Sequence, residues 1–278
     1  MQIYNAKEYW SKRLDGNIGL SGVGFHHFGE TYNEYMYKMK RIVLERTILK
    51  YKFNIESTRI LEVGCGSGFY VDIWHNLGAT DLVGIDITNE SVKHLSAKYS
   101  KYSFYEADIT SSTLINDLPF LRGKFDLITA FDVLFHVVDD DKLEQAIKNI
   151  RLLCSEDGYI FITDVFLHQR SYYEYFHHKI RLLKNYIQIL GRNGIKIVNR
   201  TPVHYLANAP FDISSKLLQK IFLCFWWKKI VRIIEKKTHL LGPLFFGLDL
   251  VLTRLFKESP STEMIICRPV EEGKNLSL

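Results

Sequence analysis

Apolar residues along the chain keep two different rhythms, and between residues 59 and 164 the two alternate. Short, nearly unbroken runs such as Ile60-Leu61-Glu62-Val63, Leu82-Val83-Gly84-Ile85 and Leu127-Ile128-Thr129-Ala130 have the length and branching of strands buried on both faces. The stretches between them place apolar residues three and four apart, the spacing of a helix with one buried stripe. This pattern predicts strands over 59–63, 81–86, 102–106, 125–130 and 159–164, with helices over 68–78, 89–98 and 140–153. Such alternation specifies a parallel, doubly wound sheet whose ligand lies above the C-terminal ends of the strands.

The flanks read differently. Residues 1–30 look loop-like and aromatic, ending in Ser21-Gly22-Val23-Gly24-Phe25-His26-His27-Phe28-Gly29. From Thr31 to about Lys52, residues Tyr32, Tyr35, Met36, Met39, Ile42, Val43 and Leu49 recur at helical spacing. Beyond the core a helix is expected from about Tyr172 to Gly191, stopped by Gly191 and Gly194. Ile195-Lys196-Ile197-Val198 opens a further strand running toward Tyr205, and Glu263–Arg268 is the last strand. The segment between them, 207–258, is longer than a hairpin needs. It is apolar and helical in pattern: a first part carries Leu217, Leu218, Ile221, Phe222, Phe225 and Trp226, and a second starts at Leu240, breaks at Gly242-Pro243 and continues to Phe256. Neither part has the ~20 uninterrupted apolar residues of a membrane span. The expected organisation is an N-terminal lid and helix (1–58), an α/β core (59–206 and 259–270) and a helical insertion (207–258).

Composition narrows the class without naming it. With 278 residues, 47% hydrophobic and 24% charged, the chain has the size and mixture of a globular domain with room for an insertion. A net charge of +5 from dispersed Lys and Arg is too mild to recruit nucleic acid, and no nucleic-acid module is recognisable. Cys65, Cys154, Cys224 and Cys267 have neither metal spacing nor a disulfide framework, which points to a reducing compartment. Met1-Gln2-Ile3-Tyr4-Asn5 lacks the basic-then-apolar layout of a signal peptide, so the expected location is cytoplasmic. Lys216, Lys220, Lys228, Lys229, Arg232, Lys236 and Lys237 ride with the first part of the insertion. Two readings of it stand. It is a helical cap completing a substrate pocket or dimer contact, or a basic amphipathic helix over 216–237 that rests peripherally on an anionic membrane and presents a lipid-linked substrate.

The candidate chemistry begins where the first strand ends, at Gly64-Cys65-Gly66-Ser67-Gly68. Alternate glycines strip the turn of side chains and permit positive φ, so a ligand can press against the backbone. Helical spacing resumes at Phe69-Tyr70-Val71-Asp72-Ile73-Trp74, which puts the loop at a helix N-terminus. A dinucleotide site wants Gly-x-Gly-x-x-Gly; here Phe69 stands in the third glycine's place. Asp86 closes the second strand about 20 residues on, the distance at which a carboxylate accepts from ribose hydroxyls. Its structural alternative is to cap Thr88-Asn89-Glu90. Asp108 closes the third strand, with a cap on Ile109–Ser112 as its alternative.

In order and spacing, the glycine loop, Asp86, Asp108 and the Phe131-Asp132-Val133-Leu134 turn resemble the class I S-adenosylmethionine-dependent methyltransferases over roughly residues 59–165. The resemblance implies a Rossmann-like, seven-stranded sheet with an antiparallel last strand inserted between its two predecessors. It implies S-adenosyl-L-methionine as cofactor, with Glu62, Gly64, Cys65, Gly66 and Gly68 around its methionine part and ribose. Asp86, with Ile87 beside it, would hold the ribose diol, Asp108 and Ile109 would flank the adenine, and Phe131 and Val133 would close the pocket beside the methyl group. The N-terminal segment resembles the lid such enzymes lay over the cofactor, with Tyr32 and Tyr37 as its expected contacts. A cationic sulfonium calls for a nearby carboxylate, which Glu62 can supply.

Methyl transfer to a hydroxyl requires the nucleophile to be positioned and its proton removed. His136, following the fourth strand, is the expected base; its structural alternative is a histidine packed at a helix start. His26, His27, His168, His177, His178 and His204 are further imidazoles that could reach the site. Asp139-Asp140-Asp141 reads as a helix cap rather than a metal set, so no metal is expected. No Asn-Pro-Pro-Tyr-type motif follows the fourth strand, which argues against the amino-group methylases of that family. The expected activity is O-methylation of a small molecule, glycan precursor or lipid-linked acceptor. The alternatives are an N- or C-methyltransferase on a quinone-type ring and a non-catalytic cofactor-binding scaffold working through the insertion.

Overall fold

The parallel strands expected from the buried runs form the centre of the molecule. A computed structural model describes residues 4–24, 28–168, 172–212, 217, 221 and 224–270. Helices α1 (Ala6–Leu14), α2 (Leu20–Val23) and α3 (Glu30–Tyr51) precede the core. The core runs β1 (Arg59–Val63), α4 (Phe69–Asn76), β2 (Asp81–Asp86), α5 (Asn89–Lys98), β3 (Ser103–Glu106), α6 (Leu114–Asp117), β4 (Phe125–Phe131), α7 (Asp140–Leu153) and β5 (Cys154–Asp164). A hairpin of β6 (Tyr172–Tyr175) and β7 (His178–Arg181), then α8 (Leu183–Arg192) and β8 (Ile195–Pro202), follow. The described part of the insertion contains a π-helical stretch (Trp226–Val231), α9 (Arg232–Lys236) and α10 (Thr238–Leu255), and β9 (Glu263–Pro269) closes the fold.

The seven-stranded sheet has the order β3-β2-β1-β4-β5-β9-β8. β9 is antiparallel to both β5 and β8, and so sits between its two predecessors as expected. Period-two alternation sends Leu61, Val63, Ile128 and Ile160 into one core with α7 and α8, and Ile60, Leu127 and Phe161 into another with Trp74 and Leu95. Both faces are therefore dry, and the C-terminal ends of β1, β2 and β4 converge on one edge. Asp139 caps α7 by accepting from the Lys142 amide, as the acidic run suggested.

Three expectations need correction. Among the described residues, 4–24 are not loop-like but hold α1 and α2: Asn5 accepts from the Glu8 amide and starts α1, a cap signal that is present in the sequence. The helix expected from Tyr172 begins only at Leu183, because Tyr172–Arg181 forms the β6–β7 hairpin. Buried Arg181 anchors it, with Nε on Asp140 and Nη2 on the carbonyls of Val137 and Val138. Nor does the insertion break at Gly242-Pro243, for α10 runs straight through. A proline in its second turn removes one helical donor, and Gly242 is small because a Cβ there would come 2.9 Å from the Tyr35 ring of α3. Leu218 and Phe222, and residues 216, 219, 220 and 223 of the basic segment, lie outside the described residues.

Candidate active site

Beyond β1 the chain turns sharply through three glycines with positive φ: 71° at Gly64, 46° at Gly66 and 87° at Gly68. A side chain at Gly64 would collide with Val133, and one at Gly68 with Leu95, so the turn is tight on two sides. The Gly64 and Cys65 amides donate to the Ile85 carbonyl, at 2.7 and 3.2 Å, which stitches the loop to the end of β2. Gly68 is the N-cap of α4. Cys65 is buried, and burial raises its thiol well above the ordinary range; it fills space and is no nucleophile.

Asp86 is the hinge between loop and strand. Its Oδ2 accepts from the Gly66 amide at 2.8 Å, and its Oδ1 accepts from the Thr88 amide and hydroxyl at 2.9 and 2.6 Å. The capping role is therefore present: Oδ1 turns the chain into α5, while Oδ2 meets the glycine loop at Gly66 and Ser91 adds a further side-chain hydrogen bond to the carboxylate. Burial raises its pKa, opposed by these donors. Ile87, beside it, is partly exposed. Asp108 is half-buried and accepts from the Thr110 amide and hydroxyl, both at 2.8 Å and both on Oδ1. Ile109 is buried next to Ile85 in the core.

α1 crosses this edge. Lys7 pairs with Glu106 at 2.5 Å, and the Ser11 hydroxyl donates to Glu90 at 3.0 Å. Val23 of α2 lies over Gly66. Tyr37 of α3 is buried edge-on to Phe69, with ring centroids 4.6 Å apart. The other expected lid contact, Tyr32, is elsewhere: its hydroxyl donates to the Ala207 carbonyl and its ring stacks on Phe28, within the insertion's own core.

The turn after β4 holds a network that sequence reasoning missed. Asp132 adopts a φ of 59°, left-handed for a residue with a side chain. Three groups hold it there: Lys40 of α3 at 2.7 Å, the Thr163 hydroxyl at the end of β5, and Tyr70 of α4. Burial opposes the Lys40 charge, but Asp132 and the Tyr37 ring outweigh it and raise its pKa. The pair is partly buried, with the Lys40 side chain more so than that of Asp132. Phe131 packs on Tyr70, and Val133 packs against Gly64.

His136 sits on the 3₁₀ turn Leu134–His136, edge-on to Trp10 of α1 and stacked with His177 of the hairpin. Its Nδ1 lies 2.8 Å from the His177 carbonyl. A carbonyl only accepts, so Nδ1 carries the hydrogen and Nε2 is the acceptor. Burial pushes its pKa down to about 3, so the ring is neutral at physiological pH. The remaining imidazoles separate clearly. His168 is held by Asp212 and Arg200, and His204 is fully buried. Burial lowers the pKa of His178, and His26 and His27 lie outside the described residues. Among the described residues no group of three His, Cys, Asp or Glu is arranged to hold a metal.

Glu62 lies beneath the loop, fully buried. Its Oε2 accepts from Trp74 Nε1 at 2.9 Å and from Thr129 Oγ1 at 2.5 Å. Burial outweighs these two donors and pushes its pKa up to about 8, so its neutral form dominates at pH 7.

Residues 60–158 match a family described as a methyltransferase domain. The chain is similar to the ubiquinone biosynthesis O-methyltransferase of Paraburkholderia phymatum, 31% identical over 121 residues, 43% of this chain and 49% of that protein. It is similar also to the tRNA U34 carboxymethyltransferase of Campylobacter hominis, 25% identical over 125 residues, 43% of this chain and 40% of that protein. The chain spans about half the length of the curated relatives it matches, or less. A solved structure of similar fold is the magnesium protoporphyrin IX methyltransferase of Synechocystis, with a TM-score of 0.51 at 19% identity, covering 71% of this chain and 91% of that one.

Proposed function

The chain carries a class I S-adenosylmethionine-dependent methyltransferase domain, and from that premise we propose that it methylates a hydroxyl of a small molecule, glycan precursor or lipid-linked acceptor. The observation that carries the reading is Asp86, a buried carboxylate at the end of β2 whose Oδ2 meets the glycine loop at the Gly66 amide, where a ribose lying on that loop would reach it. Loop and carboxylate fit an adenosine-bearing ligand. When bound, the cofactor supplies an electrophilic methyl group on a cationic sulfur.

The chain's own residues divide the remaining work. Gly64, Cys65, Gly66 and Gly68 offer backbone to the methionine part. Asp86 and Ile87 take the ribose, Asp108 and Ile109 the adenine, while Phe131, Val133 and Tyr37 wall the methyl end. Glu62 supports the loop through Trp74 and Thr129 rather than supplying a fixed negative charge. His136 Nε2 accepts a hydrogen bond from the acceptor's hydroxyl; with a pKa of about 3 it orients that hydroxyl, and the proton released as the methyl–oxygen bond forms passes on to solvent. A nucleic-acid acceptor is the second reading, favoured by the likeness to a protein named for tRNA modification, and the expected exclusion of nucleic acid has no support among the relatives.

Calorimetric titration with the cofactor and its demethylated product, followed by a methyl-release assay over hydroxylated acceptors, tests the proposal. Binding of both nucleosides and product formation with a hydroxyl acceptor are expected. No binding at millimolar concentration overturns it, and binding without turnover on any acceptor leaves only the scaffold. His136→Ala should slow turnover by roughly 10²-fold with cofactor affinity unchanged; full activity would remove the imidazole from the reaction.

A further inference from the structure

The outer face of α10 inverts the usual order of a surface helix. Toward the protein lie buried Thr238, Asp249 and Thr253 beside Phe245 and Phe246. The Asp249 carboxylate accepts from the amides of Tyr205, Leu206 and Ala207 at 3.0, 2.5 and 3.2 Å, so its charge serves the fold. Toward solvent lie Leu240, Leu244, Leu248, Val251 and Leu255, exposed by 78, 79, 49, 49 and 71%. Their spacing of four, four, three and four residues makes one stripe along the helix. Pro243 and Gly247 fill the other exposed positions between Leu240 and Val251, and no charge interrupts them. A lone exposed leucine is ordinary; a contiguous stripe of this kind marks a surface that something covers.

Both ends of the stripe are basic. Exposed Lys236 and Lys237 precede it, with Lys228 and Lys229 a little further back, and Arg254 and Lys257 stand at the far end. Two of the nearby acids already have partners, Glu235 the Gly29 amide and Glu258 the Arg200 guanidinium. A second copy of this chain laid along the stripe, in either direction, would bring cations against cations. An anionic bilayer meets both features at once.

We propose that α10 docks flat on an anionic membrane surface, with its leucine stripe at the acyl boundary and the cations at both ends on lipid phosphates. This contact does not depend on the methyl-transfer reading. No helix among the described residues is long and apolar enough to cross a membrane, so the contact is peripheral.

The test is co-sedimentation of the full chain with vesicles of phosphatidylcholine alone and of equimolar phosphatidylcholine and phosphatidylglycerol, at low and high salt. The anionic vesicles should bind the protein, and salt should weaken binding. Leu244→Ser with Leu248→Ser should lower partition onto them roughly tenfold or more. Lys236→Gln with Lys237→Gln should lower it roughly tenfold and reduce the preference over neutral vesicles. All four positions are exposed, and cofactor titration of the same preparations reads the nucleoside site separately. Near-zero or equal binding to the two vesicle types overturns the proposal. So does a dimer abolished by the leucine substitutions in a protein that ignores vesicles.

Discussion

Asp86 and Asp132, the first closing β2 and the second just past β4, are held in opposite ways. Asp86 is fixed by hydrogen-bond donors from Thr88, two residues on, and from Gly66 of the neighbouring glycine loop. Asp86→Ala should weaken cofactor binding by about 1.5–3 kcal/mol, the usual cost of losing bonds to a charged acceptor, read by calorimetry on protein shown to be folded. An unchanged dissociation constant would remove the carboxylate from the ribose. Asp86 was legible because its spacing from the glycines is set locally by one strand–helix–strand unit. Asp132 was legible only as a position, since its tether to Lys40 spans 92 residues and its positive φ leaves no mark in composition.

Among elements, the Lys40–Asp132 pair joins α3 to the β4 turn with side-chain exposures of only 12 and 28%. Lys40→Ala strands a partly buried carboxylate and should cost about 2–4 kcal/mol in denaturant unfolding, somewhat below the range for fully buried pairs. Lys40→Met with Asp132→Asn should recover much of that loss; simple additivity of the two single changes would show the pair uncoupled. The central strands and their helices were readable because period-two and helical rhythms alternate cleanly there. The β6–β7 hairpin was not, because its aromatic residues also fit a helical pattern and its anchor, Arg181 on Asp140, is long-range. α1 was missed for a different reason: the Asn5 cap signal was overlooked in a segment with little hydrophobic periodicity.

At the scale of the molecule, buried acids give the fold a definite response to pH. Burial pushes Glu62 up to about 8 and Asp164 up to about 7, while the unfolded chain would release both protons near their ordinary values of 4.5 and 3.8. The folded state therefore binds more protons across that window. Their stabilisation is complete below the unfolded values and is lost as pH rises toward 7 and 8. The thermal midpoint should fall over this range, and Glu62→Gln, which keeps an acceptor for Trp74 and Thr129 but cannot ionise, should flatten the fall. A midpoint profile identical to that of the parent protein would show Glu62 ionised throughout. The reversed β9 followed from the family resemblance, and the parallel part of the sheet was legible in the pattern. The closure of α1, the hairpin and α3 over one edge was not, since it rests on contacts such as Lys7–Glu106 and Trp10–His136 that no local pattern encodes.

The reversed β9 also bears on synthesis. In the described sheet β8 hydrogen-bonds only to β9, yet the ribosome makes the whole insertion between them. At a translation rate of ~5–20 residues per second, β8 waits several seconds with no neighbour and both edges uncovered. During that interval the nascent chain offers an open strand to chaperones or to another nascent copy, so yield on overexpression should depend on elongation speed through the insertion.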